Sequence, residues 1–319
     1  MNEILLSIAI PTYNRSNYLR ENLEVILCQI GPFRTKVQIV VSDNASPEDV
    51  SPLIAELSRR YDYDIEFYRQ SENLGMNGNS QFVVSKSKGK YVLLMGDDDL
   101  LSPDFLRIMM PYLESETNYA LIHWNRLNGD ENCSGNKLWD TQFHGMIEQM
   151  DFEAFIHRTD DAPNFMSSVM FLRECWDLGK EHVRPSADGY RWFCIVYWGA
   201  ALLKQPCLYY YLPLVIQRNP ARSYISKFPY YIIVEMSDLF QDLDKEVPGI
   251  YAFWQQHMRY KWMWTLPGVS EDRSFYRPHE AEFLPHLTPS ERRWLKVWLY
   301  APFPTLCRKV YRRFNKRPQ

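Results

Sequence analysis

Three consecutive carboxylates follow the apolar segment 91–95: Asp97, Asp98 and Asp99. Adjacent negative charges repel one another unless a cation or strong hydrogen-bond donors compensate them. Oxygen ligands on a short turn suit Mg²⁺ or Mn²⁺, which bind through one or two carboxylates while bridging substrate phosphates. The triplet therefore predicts a Mn²⁺ or Mg²⁺ site that handles a diphosphate. The alternative is a solvated acidic turn that caps the following helix through Asp99 or Ser102.

Two further polar clusters follow apolar segments of the chain. Asp43 comes after segment 37–41, where a carboxylate can accept hydrogen bonds from a nucleobase N–H or a ribose hydroxyl. The alternative is a turn aspartate that bonds its own backbone. Thr12 and Asn14, after segment 5–10, allow the same two interpretations: ligand contacts or turn chemistry.

The elements that must position these clusters alternate between apolar strands and amphipathic helices. Segments 5–10, 37–41, 65–68 and 91–95 predict strands, and the residues between them have helical periodicity. Such alternation is typical of right-handed βαβ units with a parallel sheet, in which ligands bind at the carboxyl ends of the strands. The three polar clusters fall at those ends.

The rest of the chain is predicted to form a second half of the same domain, residues 116–215, and a helical extension, residues 216–319. Segments 119–124 and 165–172 predict strands, and segment 188–203 predicts an aromatic-rich helix. From about residue 220 onward the pattern is helical, with loops at 248–249 and 267–268 and a proline-broken stretch at 302–304.

The composition excludes several classes of protein. The hydrophobic fraction of 46% and the charged fraction of 24% are ordinary for a globular chain, and a net charge of −3 argues against nucleic-acid binding. No phosphate-binding or dinucleotide-binding glycine motif follows a strand. Six scattered cysteines favour a reducing cytoplasm over a disulfide framework. Neither a signal peptide nor a membrane-spanning segment is predicted.

The polar clusters also carry a family resemblance, because their order and spacing resemble the motif set of GT-A glycosyltransferases of family 2. The resemblance is strong over about residues 4–115 and loose over 116–215. It implies the GT-A fold, an α/β Rossmann-like sheet with helices on both faces. The Gly-Asp-Asp-Asp form resembles the abequosyltransferase-like branch of O-antigen and capsule enzymes. The motifs are Ile10–Arg15 (IPTYNR), Val40–Ser46 (VVSDNAS), Asn73–Gly75 (NLG) and Leu94–Asp99 (LMGDDD).

The resemblance implies roles for these residues. The metal-binding DxD position of the family falls on the acidic triplet, which implies Asp99 as the direct ligand of Mn²⁺ or Mg²⁺ together with Asp97. The residues implied in nucleotide-sugar binding are Pro11, Thr12, Tyr13, Asn14, Asp43, Asn73, Asp97 and Asp98.

The catalytic base is harder to assign. Inverting members of the family take a carboxylate from the second half of the domain, many of them from a Glu-Asp pair that this chain lacks. Asp188, just before the aromatic helix, matches best, and Asp161 is the runner-up. The alternative for Asp188 is a helix N-cap.

The resemblance thus implies an inverting, metal-dependent enzyme that moves a sugar from a nucleotide-diphosphate donor to a lipid-linked or oligosaccharide acceptor in O-antigen or capsule synthesis. Two alternatives stay open. One is a non-catalytic scaffold subunit with the same fold. The other is nucleotidyl transfer, which the absence of a glycine-rich phosphate loop at Pro11–Asn14 disfavours.

Two sets of cationic residues allow more than one interpretation. Residues 291–319 hold nine Lys and Arg against Glu291 alone, interleaved with apolar residues such as Trp294 and Trp298. They predict binding to an anionic membrane, which would place the enzyme at the inner face of the plasma membrane; the alternative is a helix packed on the body. Arg218 and Arg222 either clamp a diphosphate or are exposed loop charges, and the second interpretation is the ordinary one.

Overall fold

A computed structural model of the chain describes residues 4–140, 145–159, 165–182, 192–218 and 228–302. The chain divides into two compact units, Met1–Pro220 and Ala221–Gln319.

The first part of unit 1 alternates strands and helices as the hydrophobic pattern predicts. The strands pair in parallel in the order β3-β2-β1-β4, which confirms the predicted βαβ arrangement of this segment. The elements are β1 (Leu6–Thr12), α1 (Ser16–Leu27), β2 (Val37–Asp43), α2 (Ser51–Tyr61), β3 (Glu66–Arg69), α3 (Gly75–Lys86) and β4 (Tyr91–Leu94).

The second part of unit 1 extends the same sheet with strands of both directions. The order continues β4-β9-β6-β10-β5, with β7 beside β6 and β8 beside β10. The elements are β5 (Leu100–Leu101), α4 (Phe105–Leu113), β6 (Leu121–Asn128), β7 (Lys137–Leu138), β8 (Ile147–Met150), α5 (Phe152–Thr159), β9 (Val169–Leu172), α6 (Arg173–Gly179), α7 (Trp192–Leu203) and β10 (Cys207–Gln217).

This part contains antiparallel strands, for which the sequence pattern predicted no direction, and one predicted strand is shorter than expected. The parallel arrangement holds for β1 to β4, but β9 runs antiparallel to β4 and β6, and β5 runs antiparallel to β10. The predicted strand 165–172 is a strand only from Val169 onward, because Met166–Ser168 forms a 3-10 turn. The apolar pattern of the segment did not distinguish the two.

The core of unit 1 lies on the central strands, where β1, β2 and β4 are buried along almost their whole length. Strands covered on both faces read as continuous apolar runs, which explains why they lack an alternating pattern. Helices α6 and α7 pack backbone to backbone. A Cβ atom on Gly199 would lie 1.9 Å from the Cys175 carbonyl oxygen, so glycine is required at this contact.

Unit 2 is helical over its described residues, as the sequence predicts. Its core contains the stacked rings of Phe240 and Trp254, 4.4 Å apart. The elements are α8 (Phe228–Tyr230), a π-helical turn (Tyr231–Glu235), α9 (Met236–Leu243), α10 (Ile250–Thr265), a 3-10 turn (Leu266–Glu271), α11 (Arg273–Tyr276), α12 (Glu280–Phe283) and α13 (Pro289–Tyr300).

Helix α13 corrects part of the membrane prediction. Its apolar residues Leu295, Trp298 and Leu299 are fully buried in unit 2. They are therefore not available for insertion into a membrane, whereas Arg293 and Lys296 on the same helix are exposed. Residues 303–319 of the basic tail lie outside the described residues. Within the described ranges, no helix combines the length and the apolar character that crossing a membrane requires.

Candidate active site

The carboxyl ends of β1, β2 and β4 bring the predicted polar clusters together at one edge of the sheet. Thr12 is in register with Asp43 on the neighbouring strand. The Thr12 Oγ1 hydroxyl donates a hydrogen bond of 2.7 Å to Asp97 Oδ2, just beyond β4. The sequence prediction that these three residues lie close together is confirmed by this geometry.

The acidic turn, Gly96–Asp99, is the centre of the site. Asp97 is 4% exposed. Arg15 Nη1 donates to Asp97 Oδ1 at 3.2 Å and to Asp98 Oδ2 at 2.8 Å. Burial, reinforced by the charge of Asp98, raises the pKa of Asp97 to about 6, although Arg15 and Thr12 oppose the shift. The turn thus carries negative charge that its surroundings compensate only in part.

Asp99 is held by protein groups on both of its carboxylate oxygens. Ser167 Oγ donates to Oδ2 at 2.5 Å, and the Arg218 backbone N–H donates to Oδ1 at 3.1 Å. Burial and then the charge of Asp98 raise the pKa of Asp99 well above its usual value. The Asn22 side chain donates to the backbone carbonyl of Asp99 at 2.7 Å. Asp99 therefore anchors the acidic turn in the protein.

Two residues from the second part of unit 1 complete this anchoring. Besides its bond to Asp99, the Ser167 hydroxyl accepts from the Gly96 backbone N–H at 2.9 Å. The Arg218 Nε donates to the Asp98 backbone carbonyl at 2.9 Å, and the residue is only 7% exposed. The interpretation of Arg218 as an exposed loop charge is wrong. Arg218 follows strand β10, and a position at the carboxyl end of a strand is the same criterion that identified Asp43 as a site residue. Ser167 satisfies no such criterion, so the sequence did not indicate it.

Asp43 is fully buried, and its carboxylate makes the turn interaction that was the alternative to a ligand contact. Its Oδ1 accepts from the Ser46 backbone N–H at 3.2 Å and from the Ser46 hydroxyl, which is turn chemistry. Its Oδ2 has no hydrogen-bond partner among the residues that the structure describes, and Arg69 Nε lies 3.7 Å away. One buried carboxylate oxygen of Asp43 therefore has an ion-pair partner but no hydrogen bond among the described residues.

The loop Asn73–Gly75 is fixed to the end of β2 by Asn44. The Asn44 side chain donates to Asn73 Oδ1 at 2.9 Å and accepts from the Leu74 backbone N–H at 2.8 Å. On the other side of Asp43, the Asn14 backbone N–H donates to Ser46 Oγ at 2.8 Å. The residues predicted from three separate motifs thus surround Asp43.

The remaining predicted binding residues form the outer part of this edge. Pro11 is half-buried, and the side chains of Asn14 and Asn73 are exposed. Tyr13 is 45% exposed, and the apolar residues Leu74 and Met76 are 41% and 56% exposed. Apolar side chains this exposed beside a buried acceptor make a partly apolar surface around Asp43.

The acidic turn fits a divalent cation that is coordinated partly by a bound ligand. It does not fit a cation that is coordinated by protein groups alone. In the described ranges there is no cluster of three His, Cys, Asp or Glu side chains suited to a metal ion. Mg²⁺ characteristically uses one or two carboxylates together with substrate phosphates. The Asp98 side chain is 16% exposed, against 6% for Asp97, so Asp98 presents the more accessible carboxylate of the two.

The two candidates for the catalytic base, Asp188 and Asp161, lie outside the described residues, as does Arg222. Their assignment stays a prediction.

The mixed ten-stranded sheet with an acidic turn after its fourth strand defines the class of fold, which is that of the GT-A proteins. The chain superimposes on a crystal structure of Staphylococcus aureus TarS 1–349 with a TM-score of 0.63 at 15% identity, covering 98% of this chain and 90% of that one. It also superimposes on the mannosyltransferase PcManGT from Pyrobaculum calidifontis, solved with GDP-Man and Mn²⁺, with a TM-score of 0.52 at 15% identity, covering 99% and 89%.

The chain belongs to glycosyl transferase family 2, whose family model matches residues 7–174. It is 30% identical over 235 residues to the abequosyltransferase RfbV of Salmonella typhimurium, and this alignment covers 70% of this chain and 69% of that protein. It is 26% identical over 191 residues to an uncharacterized glycosyltransferase of Rickettsia bellii, covering 60% of this chain but only 26% of that longer protein. The family resemblance of the motifs is confirmed.

Proposed function

We propose that this glycosyltransferase moves one sugar from a nucleoside diphosphate donor to a hydroxyl of a growing bacterial surface polysaccharide, with inversion at the anomeric carbon. The observation that carries the proposal is the pairing, at one sheet edge, of the acidic turn with the buried Asp43 oxygen that accepts no hydrogen bond from the described residues. TarS has been solved with UDP-GlcNAc and PcManGT with GDP-Man, and RfbV is an abequosyltransferase.

The nucleoside is proposed to bind around Asp43. Asp43 Oδ2 accepts a hydrogen bond from a nucleobase N–H or a ribose hydroxyl, since a buried acceptor without a hydrogen bond is costly and the Arg69 ion pair at 3.7 Å supplies none. Tyr13 and Leu74 offer exposed apolar surface to the base. The other proposed contacts come from Pro11, Thr12, Asn14, Asn73 and Asp97.

The diphosphate is proposed to lie at the acidic turn. Asp98 and Asp97 would hold a Mn²⁺ or Mg²⁺ ion there in exchange for bonds that they accept from Arg15. For Asp99, the ligand implied by the sequence, this role requires exchange of one of its two hydrogen bonds. A divalent ion at this place supplies positive charge to the diphosphate leaving group. The protein's own part is to fix the carboxylates through Thr12 and Ser167.

The acceptor hydroxyl is proposed to lose its proton to Asp188, with Asp161 as the runner-up. An Asp188→Asn variant should lower kcat by at least ~10²-fold with little change in donor affinity, as expected for loss of a general base. A mild effect at Asp188 beside a severe one in Asp161→Asn would transfer the role.

A lipid-linked acceptor would make membrane proximity useful, and the exposed cationic side chains of α13 support peripheral binding at the inner membrane face. Basic residues near an anionic leaflet contribute about 1 kcal/mol each. A variant with Arg292, Arg293 and Lys296 replaced by Gln should sediment less with anionic liposomes at low salt. Lys245→Gln, which removes another exposed cation of unit 2, is the control. Equal sedimentation of all three proteins would refute membrane binding through α13.

The function itself is tested by incubating the protein with UDP-, GDP-, CDP- and dTDP-sugars and Mn²⁺ and measuring slow donor hydrolysis. Release of a free nucleoside diphosphate from one donor supports the proposal. Asp43→Asn should then weaken binding of that donor at least ~10-fold, because an amide replaces the carboxylate acceptor. Pyrophosphate exchange would instead indicate nucleotidyl transfer, and inactivity with every donor and acceptor would favour a scaffold subunit.

A further inference from the structure

Arg15 places a positive charge on the acidic turn before any ligand is bound. It follows β1 and precedes α1, so its backbone is fixed by two regular elements. Its Nη1 atom lies 3.2 Å from Asp97 Oδ1 and 2.8 Å from Asp98 Oδ2. Within the part of the chain that the structure describes, it is the only cationic side chain paired with either carboxylate.

The guanidinium uses only part of its hydrogen-bonding capacity in these contacts. Both bonds come from Nη1, and in the described ranges the Nε and Nη2 groups of Arg15 have no hydrogen-bond partner. The side chain is 41% exposed, against 6% for Asp97 and 16% for Asp98. Arg15 can therefore change its orientation without opening the core, and it has donors to spare for an oxyanion.

Arg218, the other arginine of the site, is differently engaged. Its side chain is 5% exposed and donates hydrogen bonds to the Asp98 carbonyl, the Glu131 carbonyl and the Glu21 carboxylate. It supports the backbone of the acidic turn and does not pair with the carboxylates of Asp97 or Asp98. The two arginines thus have separate roles.

We infer that Arg15 is a counter-ion that competes with the divalent cation for Asp97 and Asp98 and that donates to the donor diphosphate once the cation occupies those carboxylates. The inference rests on the proposed function. Arg15 contacts one carboxylate oxygen of Asp97 and one of Asp98, and its positive charge repels a second cation near the same oxygens. The planar guanidinium fork matches phosphate oxygens, so release from the carboxylates leaves it suited to the diphosphate.

The test uses Mn²⁺ alone, with binding measured by electron paramagnetic resonance of the free ion in the full-length protein. Arg15→Gln removes the competing charge and should tighten Mn²⁺ binding about 10-fold. Arg15→Lys keeps the charge and should stay near wild type. The control is Arg20→Gln in the adjoining helix α1, because Arg20 pairs with Glu56 on the surface at 2.7 Å and should leave Mn²⁺ binding unchanged.

The second arm measures binding of UDP, GDP and CDP by calorimetry at saturating Mn²⁺. The nucleotide that wild type binds should bind Arg15→Gln at least ~5-fold more weakly, since a charged hydrogen bond to phosphate is lost. Tighter Mn²⁺ binding together with weaker nucleotide binding is the signature expected, and simple loss of structure would weaken both.

Equal Mn²⁺ affinity of wild type and Arg15→Gln, or an equal gain in Arg20→Gln, would overturn the inference and leave the proposed function standing. Failure of wild type itself to bind Mn²⁺, with or without a nucleotide, would overturn the inference and also the metal part of the proposed function.

Discussion

The two parts of unit 1 reach the acidic turn by different routes. In residues 4–115, the contributing side chains come from short motifs directly after parallel strands, as with Thr12 and Asp43. In residues 116–218, they come from Ser167 in a 3-10 turn and Arg218 after β10, at separations of 68 and 119 residues from Asp99. Ser167 and Arg218 hold the turn together with Thr12 and Asn22 of the first part. We propose that the first part also presents groups to a ligand.

Strand direction accounts for the position of Ser167, because β9 runs antiparallel to β4, whereas β10, which precedes Arg218, runs in the same direction as β4. Parallel strands joined by helices bring all their carboxyl ends to one edge, so the topology alone brings the polar residues after each strand together. Antiparallel neighbours such as β9 present an amino end at the same edge. The residues that precede β9, not those that follow it, therefore reach the acidic turn.

The comparison is tested most strongly at Asp98, an accessible residue of the first part. Asp98→Ala should lower sugar transfer by at least ~10²-fold, because the charge facing the diphosphate is lost. The unfolding midpoint should stay close to wild type, since the side chain is 16% exposed. Asp104→Ala, which removes an exposed carboxylate of the following loop, is the activity control. Near-normal transfer by Asp98→Ala would contradict the division of roles.

Ser167 tests the holding role of the second part with a smaller effect. Ser167→Ala leaves the Gly96 N–H and one oxygen of buried Asp99 without their partner, so the free energy of unfolding should fall by about 1–3 kcal/mol. Sugar transfer should fall about 10-fold through misplacement of the turn.

Ser168→Ala is the matched control, because the hydroxyl of this neighbouring buried serine bonds only locally, to the Phe165 carbonyl at 3.0 Å. Urea unfolding and initial rates measure both effects. An equal loss of activity in the two variants would show that the hydrogen bonds of Ser167 to Gly96 and Asp99 do not position the acidic turn.

His123 gives the smallest effect, seen only on acidification. Its Nδ1 bonds the Ser168 carbonyl at 2.7 Å, and burial, with Arg126 nearby, lowers its pKa to about 3. The unfolded chain takes up a proton below pH ~6.5 that the folded chain excludes, so stability falls as the pH drops from there towards 3. Between pH 7 and pH 5 this one group costs about 2 kcal/mol of unfolding free energy.

The measurement is urea unfolding at both pH values. His123→Gln should show a loss between pH 7 and pH 5 about 2 kcal/mol smaller than wild type. His182→Gln, which removes an exposed imidazole, should behave as wild type does. An unchanged pH dependence in His123→Gln would mean that another group is responsible.

The sequence by itself determined the strands β1 to β4, their parallel direction and the polar residues at their carboxyl ends. Continuous apolar runs and turn residues are local features, and the convergence of strand ends follows from topology alone. Asp43, Thr12 and the acidic turn were predictable for this reason. The motif order likewise sufficed to indicate family 2, as the family match over residues 7–174 confirms.

Only the tertiary structure decided which oxygen atoms remain available. Asp97, Asp98 and Asp99 are identical in type and adjacent in sequence, but Asp99 is anchored by Ser167 and by the Arg218 backbone, while Asp98 stays accessible. The apolar residues of α13 show the same limit, since a helix with such a face can enter a membrane or pack in a core. Burial and hydrogen bonding depend on groups distant in sequence, and no local pattern records them.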